Sequence, residues 1–429
     1  MAMSGRSLAT AACAVLVVVS AQVPAASAEP SPCTAAGRVG PYLVLFDRNT
    51  PQYVAASQVA NACGTMTGYY PQIAVGVAKG DPGFARRFGE DRAFGTPPAA
   101  TAPRPKVRST DPADVPGVDR TAEEWDLDAV GARHGTGSPA VVVGVLDSGI
   151  DPAHPELARA VARKDSAGCL TGVPDSGWAP TTSPHGTHVA GIIAAARDGQ
   201  GTTGVAPGVR VASIKVIDDA GRVTPEAVVC GLVWAAEHHL PITNSSFSVE
   251  GVSCTQSSPV VREALARAVD YSSAAGTLNI AAATNDGVNL TRWSACAALP
   301  AGLRDVIAVS AVGRDGVKAG YSSYGLGVVD LAAPGGDGND CVLSTVPGGY
   351  ASLCGTSMAA PHVSGVAALL ASEHPDYRAP QLRRALETSA RPIPCPADYD
   401  LNGDGLQDAF CAGYTGYNGF YGHGLVTAP

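Results

Sequence analysis

The hydrophobic positions of this chain fall into short, nearly continuous apolar runs separated by helical segments. Residues 140–146 are dense in apolar residues without polar alternation, which is typical of a strand buried on both faces of a sheet. Residues 211–217 form another apolar strand, and residues 242–248, 278–283 and 306–312 continue the predicted strand series. Helical segments lie between these runs, so the element order predicts an α/β domain over residues 118–429, with a mostly parallel twisted sheet and helices on both faces.

The first hundred residues follow a different pattern, which indicates a small α+β unit over residues 29–95. Its predicted elements are strands at residues 42–46 and 73–77 and helices at residues 52–63 and 83–94. Residues 96–117 are rich in proline and lack apolar periodicity, which is typical of an extended linker. The chain is therefore expected to carry a small domain tethered to a larger one.

Residues 1–28 have the composition of a secretory signal peptide. They contain one arginine, an apolar run over residues 8–19, and the small residues Ala26-Ser-Ala28 before Glu29, so cleavage is expected after Ala28. An uncleaved membrane anchor is the alternative, but the apolar run is short for spanning a bilayer. No later stretch is apolar enough to span, which predicts a secreted, extracellular protein without a membrane partner.

Export changes the interpretation of the cysteines. The chain has 11 cysteines, and cleavage of the signal peptide would remove Cys13 and leave an even number, as a disulfide framework requires. No two cysteines have Cys-x-x-Cys spacing, so the sequence does not favour a structural zinc site. Closeness in sequence favours three bridges, although spacing leaves the full connectivity open: Cys33 with Cys63, Cys341 with Cys354, and Cys395 with Cys411.

The charge balance narrows the possible partners. The formal net charge is −9, which argues against nucleic acid or an anionic membrane surface. With 45% hydrophobic and 16% charged residues, the composition is that of a globular protein with a large core. We expect a monomer.

A serine near the C-terminal end of the chain is the first candidate for chemistry. Residues 358–371 are almost entirely apolar or small, which predicts a buried helix. Pro361 is expected in its first turn, where the missing N–H costs nothing, so the helix should begin close to Ser357. Ser357 would then lie where backbone dipoles favour developing negative charge. Alternatively, Ser357 is an ordinary N-cap.

Further candidates for chemistry lie at the ends of predicted elements. Asp147 follows the strand at residues 140–146, at the sheet edge where α/β proteins bind ligands, although Asp-Ser-Gly is also common turn chemistry. His185 and His188 begin another helical segment. Either histidine could act as a base, and the pair could instead hold a metal. Asn285 lies in an Asn-Asp-Gly sequence, which is also an ordinary turn.

Taken together, three motifs place Asp147, His185 and Ser357 in a fixed order. The motifs are Val-Leu-Asp-Ser-Gly-Ile-Asp at residues 145–151, His-Gly-Thr-His-Val-Ala-Gly at 185–191 and Gly-Thr-Ser-Met-Ala-Ala-Pro-His at 355–362. With them the chain resembles the subtilisin-like serine peptidases, the subtilase family, from about residue 125 to residue 426. The resemblance implies a serine endopeptidase in which Ser357 is the nucleophile, His185 the general base and Asp147 its orienting partner.

The resemblance also implies roles for other residues. Asn285 would donate a hydrogen bond to the oxyanion. The substrate would bind as an added strand between two segments, whose residues are Gly221, Arg222, Val223, Ser246, Phe247 and Ser248. Thr284 and Ser248 stand where subtilases commonly have glycine, which predicts a narrower pocket. Residues 29–95 resemble the family's inhibitor-type pro-region, so the protein would be a precursor with this region as its intramolecular inhibitor and peptides or proteins as substrates.

Catalysis by such a triad needs no cofactor, but two places could hold structural calcium. Glu156 and Asp198 match positions of a calcium site in subtilisins. Residues 400–408 have the spacing of oxygen ligands in an EF-hand loop, and the candidate ligands are Asp400, Asn402, Asp404 and Asp408. Cys411 stands where that loop needs a bidentate carboxylate, so a disulfide-closed surface turn is the alternative.

Two competing functions stay open at this stage. The first is a catalytically silent binding module on the same fold, which a fluorophosphonate probe would distinguish because only an activated Ser357 would react. The second is an esterase or lipase, which is disfavoured because the sequence around Ser357 is Gly-Thr-Ser-Met-Ala rather than Gly-x-Ser-x-Gly.

Overall fold

The computed structural model describes residue 33 and residues 39–96, 118–249, 258–291 and 298–429. The chain divides into two compact units, residues 1–36 and residues 37–429, and all elements below belong to the second. The predicted signal peptide and residues 97–117 of the predicted linker lie outside the described residues.

The small N-terminal sheet has four antiparallel strands in the order β2-β3-β1-β4. Its elements are β1 Gly40–Leu45, α1 Gln52–Asn61, β2 Gly64–Tyr70, β3 Val75–Gly80, α2 Phe84–Phe88 and β4 Ala93–Gly95. The predicted helix at 83–94 is wrong in its second half. Gly89 has a φ of +124°, a backbone conformation that ends the helix, and the chain returns as β4. The strand β2 was missed because its glycines and hydroxyl residues carry only a weak apolar pattern.

The central sheet has seven parallel strands in the order β11-β10-β9-β8-β5-β7-β6. Their bounds are β5 Val142–Asp147, β6 Ala167–Gly168, β7 Arg210–Lys215, β8 Ile242–Ser245, β9 Leu278–Ala282, β10 Val306–Val312 and β11 Leu331–Pro334. This topology confirms the predicted fold class. The predicted strand at 242–248 ends earlier, at Ser245, so the segment 246–248 runs on beyond the sheet.

Helices cover both faces of this sheet. Those in the described residues are α3 Trp125–Ala129, α4 His185–Ala194, α5 Pro225–Glu237, α6 Pro259–Ala274, α7 Thr356–Glu373 and α8 Ala379–Ser389. Val143 and Val145 of β5 pack in the core that contains α4 and α7, whereas Val142 and Leu146 pack in the core that contains α5 and α6. Because both faces are buried, the strand needs apolar residues at every position, which explains the continuous run. Within the described part of the chain, no helix is long and apolar enough to cross a membrane.

Two of the predicted disulfides are present, and each closes a short stretch of the chain. Cys341–Cys354 joins the ends of the hairpin β12 Val342–Val346 and β13 Gly349–Leu353. Cys395–Cys411 precedes the small hairpin β14 Gly413–Tyr414 and β15 Tyr417–Asn418. A third bridge, Cys169–Cys230, spans 61 residues, so closeness in sequence could not identify it. Cys33 and Cys63 are both disulfide-bonded.

The N-terminal sheet packs against α5 and α6. The guanidinium of Arg267 in α6 donates to the carbonyls of Phe46 at 2.9 Å and of Ile73 and Ala74 at 3.3 Å. The hydroxyl of Thr96, which follows β4, donates to the carboxylate of Glu226 at 3.0 Å. Residue 96 therefore lies at the start of α5, close to the end of the segment 221–223.

Candidate active site

The aspartate and histidine of the predicted triad meet at the carboxyl edge of the central sheet. β5 ends at Asp147, which is fully buried, and α4 begins at His185. His185 Nδ1 lies 2.8 Å from Asp147 Oδ1 and 3.0 Å from Oδ2. Asp147 Oδ1 also accepts the N–H of Ser148 at 2.7 Å. The carboxylate therefore fixes the proton on Nδ1, which leaves Nε2 as the basic nitrogen of the neutral ring.

This contact changes the acidity of the imidazole. Burial opposes protonation of His185, but the negative charge and hydrogen bond of Asp147 outweigh that effect and raise the pKa of His185. Gly186 allows the close approach, because a Cβ there would lie 2.4 Å from the carbonyl oxygen of Gly149. The glycine after the histidine is therefore required by packing between α4 and the turn that follows β5.

Ser357 lies in the first turn of α7, as predicted, but Pro361 does not. The helix begins at Thr356, so Pro361 is inside it, beyond the first turn. Its missing N–H leaves the carbonyl of Ser357 without the usual helical donor. The hydroxyl of Ser246 donates to that carbonyl at 2.8 Å and so replaces the missing helical hydrogen bond. The sequence argument for Pro361 was therefore wrong, although the predicted helix start was correct.

The hydroxyl of Ser357 points towards the same neighbour. Ser357 Oγ donates to the carbonyl of Ser246 at 3.0 Å, and no hydrogen bond among the described residues joins it to His185. Ser246 follows β8, which pairs with β5 alongside Asp147. Ser357 thus lies at the sheet edge that carries the Asp147 and His185 pair.

Asn285 lies beside the start of α7. Its Oδ1 accepts the N–H and the hydroxyl of Thr356, each at 2.9 Å. With Oδ1 held in this way, the Nδ2 donor faces Gly355, where an added Cβ would lie 3.3 Å from Nδ2. An amide donor beside Ser357 can stabilise a developing oxyanion.

The two predicted substrate-binding segments follow the strands on either side of β5. Residues 221–223 follow β7, where Asp218 receives the N–H of Arg222 at 3.0 Å and its guanidinium at 2.6 Å. Residues 246–248 follow β8, with Phe247 packed in the core. Because β7 and β8 both pair with β5, the segments flank the Asp147 strand. Thr284 precedes Asn285, and its hydroxyl is bonded to Ser323 Oγ at 2.8 Å.

Several residues that support the site were missed by the sequence analysis. Asn244 Nδ2 donates to Ser246 Oγ at 2.8 Å, and Ser364 Oγ donates to Asn244 Oδ1 at 2.9 Å. All three residues are buried. The polar residues of the predicted strand β8, Asn244 among them, were the available signal, because buried polar groups need partners.

The candidate metal ligands have different surroundings. His188 Nε2 lies 2.9 Å from the carbonyl of Ala351, and burial lowers the pKa of His188 to about 3, so this histidine is a core residue and not half of a metal pair. Glu156 Oε1 accepts the hydroxyl of Tyr350 at 2.8 Å, while its buried Oε2 has no partner. Burial raises the pKa of Glu156 to about 7, and the charge of Asp198 adds to the shift.

In the loop at residues 400–408 the carboxylates accept backbone N–H groups of the loop itself. Asp400 accepts from Gly403 and Gly405 at 2.8 and 2.7 Å, and Asp404 accepts from Leu406 at 2.8 Å. Among the residues that the structure describes, no group of three or more His, Cys, Asp or Glu side chains is placed to hold a metal ion. Cys411 is in a disulfide and cannot be a ligand.

The profile of the Subtilase family matches residues 138–424, well over half of the chain. The chain belongs to the subtilase family. Subtilisin BL from Lederbergia lenta is 34% identical to this subtilase over 293 residues, which cover 67% of the chain and 97% of that relative. Subtilisin DY from Bacillus licheniformis is 37% identical over 251 residues, covering 58% of the chain and 83% of that relative.

Solved structures agree with this assignment. A lanthipeptide protease aligns with a TM-score of 0.58 at 25% identity, covering 72% of this subtilase and 94% of that chain. The epidermin leader peptide processing serine protease from Staphylococcus aureus has a TM-score of 0.63 at 18% identity over 91% of this chain and 97% of that chain, a likeness of fold. This subtilase is therefore a serine endopeptidase that acts on proteins or peptides, and subtilases need no catalytic cofactor.

Proposed function

We propose that Ser357, His185 and Asp147 form the catalytic triad of this endopeptidase. The observation that carries the proposal is the 2.8 Å contact between His185 Nδ1 and the buried Asp147 carboxylate, at the sheet edge where α7 presents Ser357. A hydroxyl is a poor nucleophile unless a base takes its proton. Asp147 orients the ring and stabilises the imidazolium that forms.

In this mechanism the Ser357 hydroxyl turns from the Ser246 carbonyl towards His185 Nε2. Ser357 Oγ bonds to the scissile carbonyl carbon as its proton moves to Nε2, and Asn285 Nδ2 donates to the oxyanion. Collapse breaks the C–N bond, and Nε2 returns the proton to the leaving amine. Water then hydrolyses the acyl-enzyme with His185 as base, which restores Ser357.

A fluorophosphonate probe tests this assignment directly. The processed protein should be labelled on Ser357, and Ser357→Ala should not be labelled. A catalytically silent binding module would give no labelling in either protein. Labelling that persists in Ser357→Ala would place the nucleophile elsewhere.

The substrate is proposed to bind as an extra strand between residues 221–223 and 246–248. Thr284 and Ser248 carry side chains where subtilases commonly have glycine, so the pocket for the residue before the cut should be narrow and favour alanine over phenylalanine. Pocket contacts of this kind change specificity constants about 10- to 200-fold. A peptide library that varies only this residue measures the preference. Best cleavage after aromatic residues, unchanged in the Thr284→Gly/Ser248→Gly variant, would contradict it.

Residues 29–95 are proposed to be an intramolecular inhibitor of a secreted precursor whose signal peptide is residues 1–28. The contact between Thr96 and Glu226 supports this role, because it holds Thr96, the residue that follows β4, at the start of α5, next to the proposed substrate edge. N-terminal sequencing of the secreted protein should find a cut within the linker. If processing is autocatalytic, Ser357→Ala should retain residues 29–95; a cut linker in that variant would indicate another protease.

Structural calcium is proposed at Glu156 with Asp198, and separately at the loop that contains Asp400, Asn402, Asp404 and Asp408. The buried, unpartnered Oε2 of Glu156 supports the first site, since a cation would supply the missing charge there. Binding to the native state alone raises the thermal midpoint by mass action. Equal midpoints in chelator and in excess calcium would rule out both sites, and Asp404→Ala separates the loop from Glu156.

A further inference from the structure

Thr284, immediately before Asn285, has an unusual backbone conformation. Its φ is +80°, in the left-handed region that a β-branched residue rarely adopts. The turn it begins follows β9, at the carboxyl edge of the sheet. Strain of this kind is found where the surrounding structure enforces it, often beside a functional group.

The surrounding structure that enforces it is centred on Ser323, which is fully buried. Ser323 Oγ is bonded to Thr284 Oγ1 at 2.8 Å, and Ser323 N–H donates to the carbonyl of Thr284 at 3.1 Å. The N–H of Val288 donates to the same hydroxyl at 3.4 Å. Ser323 thus contacts both ends of the turn that contains Asn285.

Ser323 is itself fixed by the chain around it. The hydroxyl of Ser322 accepts the N–H of Ala311 in β10 at 3.0 Å, and the carbonyl of Ser322 accepts the ammonium of Lys318 at 2.7 Å. Lys318 is buried, with its Nζ 5.1 to 5.3 Å from the ring centres of Tyr324, Tyr399 and Phe420. The turn that carries Asn285 is therefore bonded to a buried, hydrogen-bonded segment of the core.

We propose that Ser323 is a positioning residue for the oxyanion donor Asn285, acting through the Thr284 hydroxyl; the inference rests on the proposed role of Asn285. Thr356 fixes only the Oδ1 end of the Asn285 side chain. The backbone from which this side chain extends is set by the turn. When the bond between the two hydroxyls is removed, Thr284 relaxes towards a more common conformation, and Nδ2 moves from the place where the oxyanion develops.

Ser323→Ala is the first test. Complete loss of an oxyanion donor costs about 10² to 10³ in kcat, so a displaced donor should cost about tenfold in kcat, with KM within about twofold. A peptide boronate, which forms a tetrahedral adduct with the serine, should bind weaker by the same factor. Ser310→Ala is the matched control, because Ser310 is also buried and bonds through its hydroxyl at 2.6 Å, but to the carbonyl of Phe420. It should lower stability without lowering kcat.

Thr284→Val provides a second variant if Ser323→Ala fails to fold, because it keeps the β-branched shape and removes the same hydrogen bond. It should lower kcat by a similar factor. In an Asn285→Ala background neither substitution should lower kcat further, since residues that act through one another are not additive. Full multiplication of the two effects, or an unchanged kcat in both variants, overturns the positioning role. An unchanged kcat in Asn285→Ala alone would instead overturn the proposed role of Asn285.

Discussion

Two buried carboxylates near the start of the peptidase domain have opposite surroundings. Asp147 is 0% exposed and Glu156 is 3% exposed. Both oxygens of Asp147 lie within 3.0 Å of His185 Nδ1, and Oδ1 also accepts a backbone N–H. The carboxylate of Glu156 accepts a hydrogen bond from Tyr350 through Oε1, and Oε2 has no partner. Equal burial therefore does not mean an equal role.

The difference follows from the cost of burying charge. A carboxylate without water must be paired, hydrogen-bonded, bound to a metal, or protonated. Asp147 is paired, and it raises the pKa of His185. Glu156 is only partly satisfied, and burial raises its own pKa to about 7. The first arrangement can prepare a base for catalysis, whereas the second can take up a proton or a cation.

The largest effect is expected from removing the proposed nucleophile, Ser357. Ser357→Ala should lower kcat by about 10⁶-fold, the scale known for removing the serine of a subtilisin triad. The thermal midpoint should hardly change, because the substitution removes one hydroxyl and little packing. Turnover and thermal unfolding of the same preparation measure both. Near-normal turnover would end the triad proposal.

Asp147→Asn tests whether the paired carboxylate acts by orienting His185. The amide has nearly the same shape but favours the wrong imidazole tautomer, so kcat should fall by about 10⁴-fold while the fold stays intact. Fluorophosphonate labelling should slow in parallel. If the Asp147→Asn variant kept most of its activity, the proposal that Asp147 orients His185 for catalysis would be wrong.

The three residues of the proposed triad could be proposed from the sequence because each carries a local signal. Asp147, His185 and Ser357 all lie where an apolar run or helix meets a glycine-marked turn, so the edge of the sheet and the chemistry could be predicted together. The positions of strands such as β5 and β10 also follow from nearly continuous apolar runs. These features depend on residues close together in the chain.

Features that depend on distant residues could not be predicted. The hydroxyl of Ser246 replaces the donor that Pro361 lacks, across 111 residues of sequence, and the Cys169–Cys230 bridge spans 61. The one hydrogen bond that the carboxylate of Glu156 accepts comes from Tyr350, 194 residues away. These hydrogen-bond and disulfide partners come together only in the folded protein, so the local sequence pattern could not predict the contacts between them.

A smaller effect is expected on the pH dependence of activity, and it tests how Asp147 acts on His185. His185 must be neutral to accept a proton, and Asp147 raises the pKa of His185. The acid limb of kcat/KM should therefore have its midpoint above the ordinary imidazole value of about 6.5. Below that midpoint kcat/KM should fall about tenfold per pH unit. A midpoint below the ordinary value would mean that burial outweighs the carboxylate.

The smallest effect is expected from Glu156→Gln, and it acts on stability. The pKa of Glu156 is raised to about 7 in the folded protein, above the ordinary value of about 4.3 in an unfolded chain. The folded state then holds the extra proton between these values, so the Glu156 contribution to stability falls as pH rises from about 4.3 to 7. Without calcium, Glu156→Gln should raise the thermal midpoint at pH 8 and leave it unchanged at pH 4.

Calcium should reverse that order at pH 8, because the cation stabilises the charged carboxylate in the wild type and finds no charge in the variant. The thermal midpoint of each protein is measured under four conditions: at pH 4 and at pH 8, each in chelator and in excess calcium. Glu373→Gln is the matched control, since Glu373 is an exposed carboxyl at the end of α7, and its midpoint should follow the wild type throughout. If Glu156→Gln behaves like Glu373→Gln at both pH values, the unpartnered oxygen has no energetic consequence, and burial alone does not distinguish Glu156 from a surface group.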